Sequence, residues 1–319
     1  MAGDDAGPRT AGHPGWLVGL AAAGAMTVVR GRLWLLALAA FLVRGGIVLL
    51  LPPLLVLPSP ATLASLVSPT LVGNGLSNPA PALVTIVAAT SLGLFLILVV
   101  TTVVGAWLDV AIVEATIADA EVARLHAEPE VEAPEPRPGP ITLDAAIEAR
   151  LVAHVPTGIA LVLAVFVLRD AVMAELTSPA GSGSLVLRIV ERAPFAVGAV
   201  AVAWFVGEAW GGLAVRQLAT RSSVRSALGV ALRDLVRPGT IATAIVSTAV
   251  VLVALAALWL SAGRAFERLW PVLVDGGDDV IVLIGLTLLV ASWAAGLWLL
   301  AIGLAFRSIA WTAEVIRRR

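Results

Sequence analysis

VRQLATRSSVRSALGVALRDLVRPG, residues Val215–Gly239, separates two long apolar runs and decides how the chain sits in a membrane. It holds five arginines and one acid, Asp234. Loops rich in Lys and Arg stay on the cytoplasmic side of a membrane, so this segment predicts the orientation of every span around it. We expect its arginines to face the membrane surface: Arg216, Arg221, Arg225, Arg233 and Arg237.

The same segment carries an amphipathic pattern. Its apolar residues recur every three or four positions, the spacing that puts them on one face of an α-helix. Contact with anionic lipid headgroups and docking onto the ends of neighbouring helices both satisfy this pattern. The apolar face consists of Val224, Ala227, Leu228, Ala231, Leu232 and Leu235.

The composition predicts an integral membrane protein. Of 319 residues, 59% are hydrophobic and only 13% are charged, about half the usual charged fraction of a soluble domain. Several runs are long enough to cross a bilayer as helices. We therefore predict an all-α helical bundle with six transmembrane helices in three hairpins, joined by cytoplasmic amphipathic helices. The predicted spans are residues 33–51, 83–107, 151–168, 194–215, 240–260 and 280–306.

Residues 16–319 are predicted to form one membrane domain, and the segments between and before its spans are assigned as follows. Residues 1–15 are polar and predicted to be disordered. Trp16–Val29 is predicted to be a helix at the cytoplasmic interface. The Pro/Glu-rich residues 128–140 cannot stay helical at that proline density, so they form a linker. Ala262–Asp279 is predicted to be the third outer loop.

The arginine distribution assigns the side of the membrane. All 21 basic residues are Arg. With both termini cytoplasmic, fifteen arginines lie in inner segments and five in outer loops, while Arg44 lies within a span. The absence of Lys and the abundance of Ala, Val, Gly and Pro indicate a bacterial genome of high GC content. The predicted location is therefore the bacterial cytoplasmic membrane.

Three short motifs favour a repeated hairpin. VVRGR, HVPTG and LVRPG precede the first, third and fifth spans, each after a helical segment. Similarity by chance in a sequence rich in Val, Leu, Ala and Arg is the alternative. This layout resembles YciC-like bacterial membrane proteins and the membrane domain that precedes some glycerophosphodiester phosphodiesterases. The resemblance implies a membrane domain of unassigned activity and transfers no catalytic residue.

Charged residues inside spans are the main functional candidates, because burying a charge in hydrocarbon is costly. Arg44 lies about 16 Å into the first span and Glu208 about 12 Å from the cytoplasmic end of the fourth, at helical rise. One hypothesis is a paired charge that lines a substrate or ion path. The alternatives are a structural ion pair, or separate contacts with water and with a loop arginine.

Small residues on the fourth span predict close helix packing, within the chain or with another copy. They recur every four positions: Ala199, Ala203, Gly207 and Gly211.

Other site chemistry is not indicated. His13, His126 and His154 have no metal-ligand spacing. The acids at Asp275–Asp279 lack the spacing of a calcium loop and are predicted to cap the sixth span. Without Cys there is no thiol nucleophile or disulfide, and no basic face suits nucleic acid. We predict no catalytic residue, metal or cofactor.

Two functions remain open. The first is a non-catalytic membrane subunit or scaffold that contacts lipid, or a membrane or cytoplasmic protein, through the amphipathic helices. The alternative is a permease or exporter component with a polar path near Arg44 and Glu208. A complete transport motif would favour the alternative, and none is present.

Overall fold

A computed structural model of the chain describes residues 15–50, 96, 99–119, 140–177, 185–221, 223–276 and 278–317. Within these ranges the backbone forms helices and turns and no β-strand, which confirms the all-α fold class. The helices are α1 (Trp16–Val29), α2 (Gly31–Phe41), α3 (Ile47–Leu50), α4 (Val99–Asp119), α5 (Leu143–Ala153), α6 (Val155–Thr177), α7 (Leu185–Arg192), α8 (Pro194–Leu218), α9 (Val224–Leu235), α10 (Pro238–Val274) and α11 (Asp279–Ile316).

Five of the described helical segments are long and apolar enough to cross a membrane. A sixth crossing results if α1 and the residues up to Gly46 form one broken span, which is bent by 97°. The described helices thus allow five or six membrane crossings, and the predicted number of spans, six, is the larger of the two. The five segments are Val99–Asp119, Leu143–Ala164, Pro194–Leu218, Pro238–Val274 and Asp279–Ile316.

Three sequence predictions lie largely outside the described residues. They are the disordered N-terminus at 1–15, most of the second span at 83–107, and the linker at 128–140.

Some helix faces bury small side chains and expose large apolar ones, as α5 and the start of α6 show. Ala146, Ala149 and Ala153 on α5 are fully buried, whereas Leu151 and Ile159 are mostly exposed. Lipid solvates large apolar side chains as well as a protein core does, while small residues allow helices to pack closely. This pattern is typical of a membrane protein.

The chain divides into two compact units. The first comprises Met1–Phe41, Ala111–Pro136 and Arg233–Arg319, and the second comprises Leu42–Val110 and Arg137–Leu232.

In the first unit, two tryptophans fix the bent pair α1–α2. Trp34 on α2 donates from Nε1 to the carbonyl oxygen of Thr27 on α1 at 2.7 Å. Trp16 donates from Nε1 to Oγ1 of Thr243 on α10 at 2.9 Å, and the Trp34 ring packs edge-on against Trp298 on α11. The helix predicted at Trp16–Val29 is present with these bounds, and its location at the membrane interface stays a prediction.

Helices α10 and α11 form the long antiparallel pair of the first unit. They contain 37 and 38 residues, so each is about 55 Å long, against about 30 Å for the hydrocarbon core of a bilayer. Gly276 has a φ of +70° in the turn between them, a conformation that favours glycine. Asp278 then accepts a hydrogen bond from the backbone N–H of Val280 at 3.0 Å, which confirms the predicted cap of the last span.

The predicted third outer loop, Ala262–Asp279, is wrong for most of its length. Helix α10 continues to Val274 because Ala262 and Leu269 are both buried, and Leu269 packs against Gly285 of α11. Packing on the neighbouring helix α11 thus keeps this segment helical although it carries two charged residues, Arg264 and Arg268, which are both exposed.

Substituting Gly296 tests the contact between α10 and α11. A Cβ at Gly296 would lie 2.9 Å from Cβ and 3.1 Å from Cα of Leu258, so Gly296→Ala must push the two backbones apart. We expect a loss of about 1–3 kcal/mol of stability, the usual effect of overpacking. It is measured as a lower midpoint of thermal aggregation of the full chain in detergent.

Gly303→Ala is the matched control on the same face of α11. Its added Cβ would lie 3.5 Å or more from Val250 and Val251, an ordinary contact distance. We expect an unchanged or higher midpoint, because alanine is the better helix former. Equal midpoints for both variants would show that Gly296 does not set the distance between the helices.

Candidate functional site

Arg44 and Glu208, the two charges predicted within apolar spans, lie close together. Nη1 of Arg44 is 3.7 Å from Oε2 of Glu208. Both belong to a larger group of side chains in the second unit, which we call the ion cluster. Its members are Arg44, Asp109, Arg150, His154 and Glu208.

Arg150 on α5 is at the centre of the ion cluster. Its Nε donates to Oδ2 of Asp109 on α4 at 2.9 Å, and its Nη2 pairs with the same oxygen. Its Nη1 donates to Oε2 of Glu208 on α8 at 2.9 Å. Because a guanidinium presents five donors in one plane, a single side chain joins carboxylates from two other helices.

Arg44 enters the ion cluster at a break in its helix. The helix is kinked at Leu42–Gly46, where Arg44 has a ψ of 21° and Gly45 a φ of +88°, both outside the helical range. A side chain at that φ is strained, so glycine suits the position. Arg44 pairs with Asp109 and donates from Nη2 to the carbonyl oxygen of Gly105 at 3.1 Å. The break thus turns the guanidinium toward α4.

His154 lies at the junction of α5 and α6. Its Nδ1 is 2.9 Å from the carbonyl oxygen of Arg150, one helical turn earlier. Its Nε2 is 3.2 Å from Oε1 of Glu208. Both ring nitrogens therefore have a polar partner, and Glu208 is shared by three side chains.

Two glycines let α8 approach the helices that carry Arg150 and His154. A Cβ at Gly207 would lie 3.0 Å from the carbonyl oxygen of Ala153, and one at Gly211 would lie 3.1 Å from Cδ of Arg150. Both distances are tighter than ordinary contacts, so this spacing requires glycine.

The predicted packing stripe on α8 makes contacts within the chain at its C-terminal half. Gly207 and Gly211 are buried within the chain, whereas Ala199 is exposed and Ala203 is partly exposed. Helix contact at Ala199 and Ala203, within the chain or with another copy, stays a prediction.

Burial differs across the ion cluster. The side chains of Asp109 and Arg150 are each 6% exposed, while Glu208 is 18%, Arg44 is 23% and His154 is 28% exposed. Isolated charges at such depth would carry a large desolvation cost, which pairing and hydrogen bonds offset. The cluster therefore has a buried centre, Asp109 and Arg150, and a more accessible edge.

The arginines predicted at the membrane surface fall into two groups. Arg221, Arg225, Arg233 and Arg237 are exposed, as a surface role requires. The prediction for Arg216 is wrong, because Arg216 is 7% exposed and donates from Nη1 to the carbonyl oxygen of Gly212 at 2.7 Å. It lies within the last turns of α8, where the chain has not yet left the bundle.

Sequence reasoning missed three members of the ion cluster. Asp109 and Arg150 lie just outside the predicted spans 83–107 and 151–168, and His154 lies near the start of the second of these, where polar side chains are normally solvated. The signal for Arg150 was its neighbours: Ala146 and Ala153 share its helix face, and small residues around one charge indicate close packing.

Metal and ligand sites are not indicated in the part of the chain that the structure describes. No three His, Asp or Glu side chains there converge as metal ligands. A shallow pocket of about 10 Å³ between α1, α10 and α11 holds one water molecule at most. His13 and His126 lie outside the described residues.

Comparison with protein-family models, curated proteins and solved structures gives no significant match.

Removing members of the ion cluster tests their coupling. We expect Arg150→Leu or Glu208→Leu to lower the stability of the chain by about 3–5 kcal/mol, because each leaves a buried partner unpaired. The double variant should lose less than the sum of the two. The coupling between Arg44 and Glu208 should be weaker, since their atoms are 3.7 Å apart instead of 2.9 Å.

Thermal unfolding of the four variants of each double-mutant cycle, in the same detergent, gives the coupling energies. Arg264→Leu, which removes an exposed arginine of the first unit, is the control and should have little effect. Strictly additive losses in both cycles would contradict a coupled cluster.

Proposed function

We propose that the chain is a non-catalytic protein of the bacterial cytoplasmic membrane, with both termini cytoplasmic. In this proposal it is a subunit or scaffold that contacts anionic lipid headgroups, or a protein partner, through the basic segment around α9. The resemblance to YciC-like membrane proteins is part of the same proposal. The observation that carries it is the two-sided character of α9.

One side of α9 is held against protein. Ala227 and Ala231 are fully buried and Leu228 is 9% exposed. Trp210 on α8 donates from Nε1 to the carbonyl oxygen of Leu228 at 3.0 Å. This supports a docked helix and not a free loop.

The other side of the segment presents arginines. Arg221 and Arg225 are exposed, as is the apolar side chain of Leu232. A fixed helix with exposed arginines and an exposed leucine suits a membrane surface, since each Arg near an anionic leaflet contributes about 1 kcal/mol. Docking and lipid contact therefore use different sides of one helix.

The ion cluster supports a structural role for the intramembrane charges. Two arginines and two carboxylates cancel in formal charge and bond to one another across separate chain segments. Because these charges pair with one another, the network holds the helices of the second unit in a fixed arrangement, which a scaffold requires.

Neutralising Arg221 and Arg225 tests the lipid contact. With two arginines removed, R221Q/R225Q should bind anionic lipid up to about 30-fold more weakly, which corresponds to about 2 kcal/mol. The measurement is titration of the full chain in neutral detergent micelles with phosphatidylglycerol, and the difference should shrink as salt rises.

R264Q/R268Q is the matched control, because these arginines are also exposed and four residues apart. It should bind anionic lipid as the wild-type chain does. Equal losses for both pairs would indicate non-specific charge attraction, and no loss for R221Q/R225Q would exclude α9 as the lipid contact.

The alternative, a permease or exporter component, is favoured by one observation. The helix break at Gly45 lies beside Arg44, where charged side chains converge. Transporters place binding sites at interrupted helices of this kind.

Thr157→Cys separates the two functions, because the native chain has no cysteine. Thr157 is 7% exposed and approaches Gly207 beside His154. For a scaffold we expect a cysteine there to stay unreactive toward a membrane-impermeant thiol reagent from either side of sealed vesicles. Ser223→Cys, at an exposed position, is the positive control. Labelling of Thr157→Cys would favour the permease.

A further inference from the structure

The two ring nitrogens of His154 face two acceptors. Nδ1 lies 2.9 Å from the carbonyl oxygen of Arg150, and Nε2 lies 3.2 Å from Oε1 of Glu208. A carbonyl oxygen and an ionised carboxylate only accept hydrogen bonds, whereas a neutral imidazole has one N–H and one lone pair. With the proton on Nδ1 the lone pair of Nε2 faces the carboxylate, and with the proton on Nε2 the lone pair of Nδ1 faces the carbonyl oxygen.

A neutral His154 beside an ionised Glu208 therefore always leaves two acceptors facing each other, 2.9 Å apart at Nδ1 or 3.2 Å apart at Nε2. An additional proton on the ring removes this conflict, and so does one on Oε1 when the ring proton is on Nδ1. We infer that His154 and Glu208 together form a proton-binding site at the edge of the ion cluster.

The neighbouring groups are compatible with this proton. Glu208 also receives Nη1 of Arg150 at 2.9 Å, and Nη1 of Arg44 lies 3.7 Å away. Both arginines pair with Asp109, so the four charges cancel. The bound proton therefore gives the five-residue cluster a formal charge of +1. Arg216 is a further positive charge on α8, and its guanidinium and that of Arg150 both lie beside Gly212.

Burial also distinguishes this pair from the centre of the cluster. His154 and Glu208 are 28% and 18% exposed, whereas Asp109 and Arg150 are each 6% exposed. The proton therefore binds at the less buried edge and not at the buried centre.

Proton occupancy controls a contact between elements. With the proton present, the junction of α5 and α6 is hydrogen-bonded to α8 through the His154–Glu208 contact. Without it, the ring opposes a lone pair either to Glu208 or to the Arg150 carbonyl oxygen, and that contact weakens. This inference does not depend on lipid binding by α9.

The chain contains only three histidines, which allows a direct test. In H13Q/H126Q, His154 is the sole histidine, and ¹⁵N labelling of its ring reports the proton on each nitrogen. The full chain is measured in neutral detergent without anionic lipid, so failure of the lipid proposal cannot affect the result. Subtracting the spectrum of His154→Gln from that of the wild-type chain gives the same signal without the two background changes.

At pH 7 we expect one of two results. Either both ring nitrogens carry protons, or Nδ1 alone does and infrared spectroscopy detects a protonated carboxyl group that Glu208→Gln removes. In Glu208→Gln the amide N–H donates to Nε2, so the ring should be neutral with its proton on Nδ1. A neutral ring beside an ionised Glu208, or an unchanged ring spectrum in Glu208→Gln, would overturn the inference.

Discussion

A charge buried in an apolar bundle must have a partner, and the second unit depends on this constraint. Arg150 can lie on a face with three fully buried alanines only because Asp109 and Glu208 accept its hydrogen bonds. Those carboxylates lie on different helices, so pairing one guanidinium fixes the positions of α4, α5 and α8 together. Arg44 adds a fourth chain segment to the same network.

The small residues on α8 are required because the charged side chains pair across helices. Hydrogen bonds of 2.9 Å between helices require backbones that approach closely, and Gly207 and Gly211 provide that approach on α8. Elsewhere α8 exposes large apolar side chains such as Val202 and Phe205, which lipid solvates. Polar pairs between helices and apolar side chains on the outer surface are therefore two parts of one arrangement.

The sequence predicted the class of fold and part of the site. Arg44 and Glu208 could be found because each is a lone charge in an apolar run, which is a local signal. Asp109, Arg150 and His154 could not, because they lie near predicted span ends, where a charge is normally solvated. Their pairing is a property of helices brought together from distant parts of the chain. The length of α10 was missed for the same reason, since Gly285 of another helix stabilises the segment around Leu269.

The register of α10 against α11 also determines which bilayers suit the first unit. Leu258 faces Gly296, Leu269 faces Gly285 and Val251 faces Gly303. With this alignment, the uncharged stretches of the two helices overlap only at residues 248–263 and 291–306, a shared height of about 24 Å. A thicker hydrocarbon layer would reach Arg264 on one side or Arg307 on the other, so either the layer thins locally or these arginines extend toward the headgroups. The offset between the helices, and not the length of either, sets the membrane thickness that they match.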